Sequence, residues 1–136
     1  MRRRSWSSAG VRFFELDYER VIRELREYAE GAVAREARAV ILIGSLARGD
    51  YTAFSDADVL IISDRVPERP VDRIAEFLDP TLPIDLEPRV YTSEEFLRMA
   101  REGRRVVREA VEYGILLAGD EEVLREAKEA LAESRA

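Results

Sequence analysis

Two short apolar runs constrain the fold of this chain more than any other feature of the sequence. Residues 39–43 read Ala-Val-Ile-Leu-Ile, and residues 57–62 read Ala-Asp-Val-Leu-Ile-Ile. Short, continuous runs rich in β-branched residues are typical of strands that are buried on both faces of a sheet. Helical patterns lie before, between and after the runs, so the order of elements predicts an α/β domain.

The segments that flank the two runs are amphipathic. Residues 17–38 carry apolar residues at helical spacing among Glu and Arg, and residues 71–78 have a second helical pattern. A third strand is predicted at residues 84–91, and residues 93–134 are predicted to be mainly helical. The sequence contains neither an internal repeat nor a linker, and we therefore expect one domain over residues 1–136.

The composition excludes several classes of catalytic site. The chain has no Cys and no His. It therefore cannot build a thiolate nucleophile, a Ser–His–Asp triad or a Cys/His zinc site. Any chemistry must use carboxylates, hydroxyls, Arg, backbone groups and hard metal ions.

The charge balance and the hydropathy exclude further classes of protein. A formal net charge of -6 argues against broad nucleic-acid binding, which needs Lys and Arg to displace counterions. No apolar run is long enough to span a membrane, and the first residues lack the apolar stretch of a secretory signal, so we expect a cytoplasmic protein.

The composition also fits a protein from a thermophile, because 37% of the residues are charged and the chain has no Cys, Asn or Gln.

A glycine and a serine directly follow the first apolar run. Gly44 lets the backbone turn with φ values that other residues resist, and it lets a ligand approach closely. Ser45 is a good N-cap residue, so a short helix is predicted from Ser45 to about Gly49. A hydroxyl beside unpaired backbone N–H groups favours a phosphate. By itself, however, a junction of this kind is often only a turn.

Two acidic residues enter the second apolar run. Asp56 and Asp58 are two positions apart, so a strand would point both side chains to the same face. Neighbouring carboxylates repel each other unless a cation lies between them, and Mg²⁺ prefers such oxygen ligands. The alternative makes Asp56 a cap at the end of a loop and Asp58 a surface residue. We favour the metal site because apolar residues surround Asp58.

A third acidic residue, Asp85, lies in the apolar context Leu-Pro-Ile-Asp-Leu. If the third strand lies beside the second, Asp85 can join the other two carboxylates. Three acids could then hold two magnesium ions about 3.5–4 Å apart. Glu87 shares a face with Asp85, and we interpret it as a surface residue or a support for Asp85.

The motif around these residues resembles a known signature. It reads Gly-Ser-Leu-Ala-Arg-Gly at residues 44–49 and Ser-Asp-Ala-Asp-Val-Leu at residues 55–60. This is similar to the G-S-x-A-R-G…S-D-x-D-[LV] signature of the DNA polymerase β-like nucleotidyltransferase superfamily, and above all to its minimal nucleotidyltransferases from archaea and bacteria. The resemblance covers a core from about residue 39 to residue 90.

The resemblance implies a nucleotidyltransferase fold of the α/β (α+β) type, with a small, mixed, twisted sheet and helices mainly on one face. It implies that the third carboxylate, Asp85, assists deprotonation of the acceptor hydroxyl. It also implies a set of site residues: Gly44, Ser45, Arg48 and Ser55 for the nucleotide, and Asp56, Asp58 and Asp85 for metal binding and catalysis.

The activity implied is the transfer of a nucleoside monophosphate, AMP from ATP, to an acceptor hydroxyl with Mg²⁺ as cofactor. Minimal members of the superfamily are commonly paired with a helical protein of the HEPN type in toxin–antitoxin modules, and some modify a tyrosine of that partner. The acceptor implied here is such a tyrosine. The alternative is an antitoxin-like, nucleotide-binding protein that sequesters a partner without turnover. The sequence leaves a homo-oligomer open.

Other polar residues have two interpretations each. Arg48 could contact a phosphate, or it could form an ion pair with Asp50 or Asp56 that holds the loop. Tyr51 could contact the nucleotide or belong to an ordinary loop. The basic run of helix residues is interpreted as a solvated face, with a docking surface for an acidic partner as the alternative; its members are Arg101, Arg104, Arg105 and Arg108.

Overall fold

The computed structural model describes the backbone of residues 4–6 and 12–14, and all of residues 16–134. The strands are β1 (Arg4–Trp6), β2 (Arg12–Phe14), β3 (Ala37–Ile43), β4 (Ala57–Ser63), β5 (Leu86–Tyr91) and β6 (Ile115–Gly119). The helices are α1 (Tyr18–Ala34), α2 (Gly44–Arg48), α3 (Pro70–Ile74), α4 (Ser93–Arg101), α5 (Arg105–Tyr113) and α6 (Glu122–Ser134), with a 3₁₀ helix at Ala75–Phe77. Over these described ranges, no helix is long and apolar enough to cross a membrane.

The main sheet has four strands in the order β5-β4-β3-β6. β3 is antiparallel to both β4 and β6, whereas β4 and β5 are parallel. The prediction of a small mixed sheet in an α/β fold is therefore confirmed. A separate antiparallel pair is formed by β1 and β2, which the sequence analysis does not predict.

The central strands β3 and β4 are buried on both faces, as their continuous apolar runs predict. Val40 and Leu42 of β3 pack against the α1 side of the sheet, where Leu25 is fully buried. Ile41 lies on the opposite face and belongs to the cluster that α4, α5 and α6 cover, with Phe96 at its centre. Three of the longer helices thus cover one face, as expected, while α1 closes the other together with Leu46 of α2 and Phe77 of the 3₁₀ helix. Each large side chain buried in this way contributes about 1.5–3 kcal/mol.

Two element boundaries differ from the prediction. The first helix ends at Ala34 and not near residue 38, because Glu36 adopts a left-handed turn (φ 82°) that leads directly into β3. The third strand begins at Leu86 and not at residue 84, since its partner β4 begins at Ala57 and the two residues pair with each other. Asp85 therefore lies just before β5.

A buried arginine holds the segment after β4 against the sheet. Arg73 of α3 is only 3% exposed, and its Nη1 atom lies 2.6 Å from Glu95 Oε1. The same guanidinium donates to the carbonyl groups of Pro67, Glu68 and Val90. This charge is fully engaged and has a structural role.

Candidate active site

The predicted glycine junction lies at the end of β3, where the chain turns into α2. Gly44 is the first residue of α2, and its φ of 77° lies in the left-handed region. A Cβ atom at Gly44 would overlap the carboxylate of Asp58. The sheet brings the two residues together, because Ile43 pairs with Asp58 in the β3–β4 register. Gly44 is needed both for the turn and for the space beside Asp58.

Ser45 lies inside α2 and does not cap it. The prediction of an N-cap at Ser45 is wrong, because the helix begins at Gly44 and Ile43 occupies the cap position without a side-chain hydrogen bond. Ser45 Oγ donates instead to Ser55 Oγ at 3.1 Å. The Ser55 hydroxyl also accepts a hydrogen bond from the Thr52 N–H group at 2.8 Å. These bonds join α2 to the loop that leads into β4.

A pair of tyrosines fixes the same loop to α1. The rings of Tyr18 and Tyr51 stack with their centroids 5.0 Å apart and their planes 17° apart. The Tyr18 hydroxyl donates to the carbonyl group of Leu46 in α2 at 3.3 Å. Of the two interpretations of Tyr51, the structure favours a residue that packs within the loop.

The three predicted carboxylates surround the start of β4. Asp58 is half-buried within the strand, and Asp56 is exposed just before it. Asp85 lies beside them, because the Ala57 N–H group donates to the Asp85 carbonyl at 2.8 Å. Asp56 and Asp85 share a cleft, whereas Asp58 lines a different one. Across residues 16–134, no three acidic side chains form a group that could hold a metal ion.

Glu87 adds a fourth carboxylate that the sequence analysis did not assign to the site. Glu87 pairs with Asp58 in the parallel register of β4 and β5. The pKa of Asp56 is raised above its ordinary value, first by the loss of hydration and then by the negative charges of Glu87 and Asp85. The position two residues after Asp85 on a strand was the sequence signal for Glu87. The proximity of Glu87 to Asp56 could not be inferred without the register of β4 and β5.

A cleft of about 440 Å³ opens beside these acids, and we call it the acidic cleft. A smaller recess of about 280 Å³ adjoins it, with apolar walls that include Leu16, Leu82 and Phe54. Asp56 and Asp85 line both spaces. The acidic cleft is lined by Asp56, Leu78, Asp79, Pro80, Leu82, Ile84, Asp85, Leu86 and Glu87.

A second cleft, of about 420 Å³, lies at Gly44, and we call it the arginine cleft. It combines the glycine junction and Asp58 with three arginines from three different elements. Its lining residues are Gly44, Ser45, Arg48, Asp58, Arg89, Arg105, Val106 and Glu109. Cationic side chains beside a serine hydroxyl and a carboxylate can bind a phosphate chain that carries a metal ion.

Arg48 is held in place at the edge of the arginine cleft. Its Nε atom lies 3.2 Å from Asp50 Oδ2, and its Nη1 atom donates to the Tyr113 hydroxyl at 3.0 Å. The guanidinium also lies over the Tyr113 ring, 5.5 Å from the centroid. The hydrogen bonds to Tyr113 and Asp50 raise the pKa of Arg48. The structure thus contains the predicted ion pair, with Asp50 and not Asp56, while Arg48 still lines the cleft.

The other two arginines of the cleft were not predicted as site residues. Arg89 lies on β5, paired with Leu60 of β4. Arg105 is the first residue of α5 and forms an ion pair with Glu109 at 3.2 Å. The sequence analysis assigned Arg105 to a solvated basic run, because local spacing does not show that the start of α5 lies over the end of the sheet.

Comparisons with known proteins agree with the predicted family. A family model described as the nucleotidyltransferase domain matches residues 19–117, a span that contains every predicted site residue. No curated protein matched the sequence.

Two solved structures are similar to this chain to different degrees. One is a crystal structure of a toxin–antitoxin with AMP-PNP, which matches with a TM-score of 0.51 at 18% identity over 88% of this chain and 85% of that one. The other is a proposed nucleotidyltransferase from Sulfolobus solfataricus, with a TM-score of 0.49 and 21% identity over 73% of this chain and 80% of that one. Because the family model spans more than half of the sequence, the chain belongs to the nucleotidyltransferase domain family.

Proposed function

We propose that this chain transfers AMP from ATP to an acceptor hydroxyl with Mg²⁺ as cofactor. Nucleotidyl transfer in general follows from the family. The observation that carries the finer proposal is the meeting of two kinds of charge at the start of β4. Asp58 lines a cleft with three arginines, and Asp56, two residues earlier, lines a cleft with Asp85 and Glu87. A magnesium–triphosphate complex needs both, because phosphates pair with arginine and magnesium pairs with carboxylates.

Asp56, Asp58 and Asp85 are the residues that would hold magnesium, and we propose two ions. The donor set fits in its chemistry, since carboxylates are the ligands that this ion prefers, and a bound ion would have to draw together acids that form no metal-binding group among residues 16–134 as they stand. Loss of hydration, and then the negative charges of Glu87 and Asp85, raise the pKa of Asp56, and a divalent cation would offset the repulsion among these carboxylates. When bound, magnesium would neutralise phosphate charge and lower the pKa of the attacking hydroxyl.

The chain's own groups have separate tasks in this proposal. Gly44 leaves room for a phosphate beside Asp58, and the hydroxyl of Ser45 donates to it in exchange for its bond to Ser55. Arg48 neutralises phosphate charge from the edge of the cleft. Asp85, which is exposed in the acidic cleft, accepts the proton of the acceptor hydroxyl on a carboxylate oxygen.

We propose a tyrosine of a HEPN-type helical partner as the acceptor. A tyrosine has an apolar ring and a polar hydroxyl, so it suits a recess that is lined by both apolar side chains and carboxylates. Phe54, which is 88% exposed, lines the recess together with Leu82 and Asp85. The toxin–antitoxin structure of similar fold was crystallised with AMP-PNP, which agrees with both the nucleotide and a partner protein.

The first test is calorimetric binding of ATP, CTP, GTP and UTP, with and without Mg²⁺. We expect magnesium-dependent binding, because both kinds of charge contribute to it. We expect the tightest binding for ATP, in agreement with the AMP-PNP of the toxin–antitoxin structure. The substitution Asp58→Asn should weaken that binding by about a hundredfold, since it removes a metal ligand. Asp72→Asn is the matched control, because Asp72 is exposed on α3 and lines neither cleft. Equal affinities of the wild type and Asp58→Asn would contradict the proposed site.

A second measurement separates transfer from binding alone. The chain is incubated with ATP, Mg²⁺ and its co-purified partner, and the partner is analysed by mass spectrometry. A gain of one AMP on a tyrosine supports the enzyme. Magnesium-dependent binding without any modified partner would favour the antitoxin-like alternative, in which the chain binds a nucleotide and sequesters the partner.

A further inference from the structure

The arginine cleft contains more positive charge than the sequence motif supplies. Arg48 belongs to the motif, but Arg89 comes from β5 and Arg105 from the start of α5. Together with Asp58 and Glu109, the cleft has three cationic and two anionic side chains. If Asp58 binds a metal ion, Glu109 is the only other carboxylate in the lining, and Asp50 pairs with Arg48 from outside it.

The three arginines differ in how they are already paired. Arg48 is engaged by Asp50, and Arg105 is engaged by Glu109, each at 3.2 Å. Arg89 forms no ion pair with any of residues 16–134. Its guanidinium is therefore the cation of the cleft that is most available to an anion.

The position of Arg89 is fixed by the sheet. Glu87 pairs with Asp58 and Arg89 pairs with Leu60, so Arg89 follows Glu87 on the same face of β5 at a distance of about 7 Å along the strand. Arg105 reaches the same cleft from α5, which packs on that face of the sheet. Two arginines from separate, packed elements thus lie on the side of Asp58 that is away from the acidic cleft.

We propose that Arg89 and Arg105 bind the β- and γ-phosphates of the donor nucleotide and hold the pyrophosphate that leaves. This inference rests on the proposed nucleotidyl transfer. It names the residues that would select a triphosphate as the donor. An arginine can donate two parallel hydrogen bonds to a phosphate, and its planar group matches the oxygens that it contacts. A monophosphate would leave Arg89 without a phosphate partner and Arg105 with Glu109 alone.

The same residues act on the leaving group during transfer. The acceptor oxygen forms a bond to the α-phosphorus, and its proton passes to a carboxylate. The bond between the α-phosphorus and the oxygen that bridges to the β-phosphate breaks. That oxygen leaves with the bonding electron pair as part of pyrophosphate, and the nearby arginines stabilise the charge that it gains.

The test is calorimetric binding of ATP and of inorganic pyrophosphate, each with Mg²⁺, to the wild type, Arg89→Ala and Arg105→Ala. We expect each substitution to weaken the binding of both ligands by roughly tenfold, with the larger loss for Arg89→Ala. Arg101→Ala is the matched control, because it removes the same charge from an exposed residue outside the cleft, and it should change both affinities by less than about twofold.

Further variants keep the test independent of misfolding. Arg89→Lys retains the charge but not the forked donor, so its loss should lie between those of the wild type and Arg89→Ala. Circular dichroism checks that each variant is folded. Unchanged affinity for pyrophosphate and ATP in folded Arg89→Ala and Arg105→Ala would overturn the inference and leave the proposed function intact. Failure of the wild type to bind ATP would overturn both.

Discussion

The arginine cleft and the acidic cleft both lie at the start of β4, where Asp58 lines the first and Asp56 the second, and their charges are balanced differently. In the arginine cleft, Arg48 and Arg105 already have carboxylate partners. In the acidic cleft, Asp56 lies near Glu87 and Asp85, and none of the three forms an ion pair with a cation of residues 16–134.

This difference supports the ligand that we propose for each cleft. Crowded carboxylates without a cation are unfavourable in the protein alone and become favourable when a metal ion binds. Arginines that already form ion pairs with carboxylates are stable in the free protein, and they can release the carboxylate to bind a phosphate. In the proposed function, the two clefts accommodate the two halves of a magnesium–nucleotide complex, and Asp58 lies where the halves would meet.

The strongest test of this comparison is a substitution that closes the space between Gly44 and Asp58. Gly44→Ala places a methyl group against the Asp58 carboxylate in a left-handed backbone. We expect the free energy of unfolding to fall by about 3 kcal/mol, from backbone strain and overlap together. Chemical denaturation measures this loss, and calorimetry should show that nucleotide binding is lost as well.

Gly49→Ala is the control for backbone strain alone. Gly49 also has a left-handed φ, 94°, but an added Cβ would meet no atom within 4 Å. We expect a loss of about 1 kcal/mol and unchanged nucleotide binding. Equal losses for the two variants would mean that the contact between Gly44 and Asp58 does not constrain the site.

A smaller effect is expected from neutralising the acidic cleft. The folded protein holds the pKa of Asp56 above its ordinary value, so ionisation of Asp56 opposes folding. Asp56→Asn should therefore raise the Tm of the metal-free protein at pH 7. The gain should shrink as the pH falls through the ordinary carboxyl range, where wild-type Asp56 becomes protonated. Thermal melts at several pH values measure this gain in Tm, and Asp72→Asn is the control. A lower Tm at pH 7 would show that the acids do not repel each other.

The smallest effect on nucleotide binding is expected at Phe54. Its side chain is exposed beside the acidic cleft and lies outside the arginine cleft. Phe54→Ser should change the affinity for magnesium–ATP by less than about twofold, because an exposed side chain that does not touch the nucleotide contributes little. In the presence of a partner, the same variant should slow AMP transfer. A large loss of ATP affinity would place the nucleotide in the recess and not in the arginine cleft.

The sequence predicted those parts of the candidate site that depend on residues close together along the chain. Gly44, Asp56 and Asp58 follow or precede continuous apolar runs, and such runs indicate buried strands whose ends lie at one edge of a sheet. The mixed sheet was implied by the resemblance to the superfamily, and the short helix after β3 was predicted from Ser45 as its N-cap. Ser45 was misjudged, because its hydroxyl bonds Ser55 across the loop instead of capping the helix.

The arginine cleft could not be predicted in full, because it depends on packing between distant elements. Arg89 alone is an ordinary polar residue of an edge strand, and Arg105 alone belongs to a basic helix. They meet only because β5 pairs with β4 and α5 packs over the same face of the sheet. Neither the spacing nor the composition of the sequence contains that information.

The central claim is that the two clefts form one site for a magnesium–nucleotide complex. A crystal structure with Mg²⁺ and a non-hydrolysable ATP analogue tests it most directly. We expect magnesium bound by Asp56 and Asp58, with the β- and γ-phosphates hydrogen-bonded to Arg89 and Arg105. A nucleotide whose phosphates lie outside the arginine cleft, or a magnesium ion that contacts none of Asp56, Asp58 and Asp85, would contradict the claim.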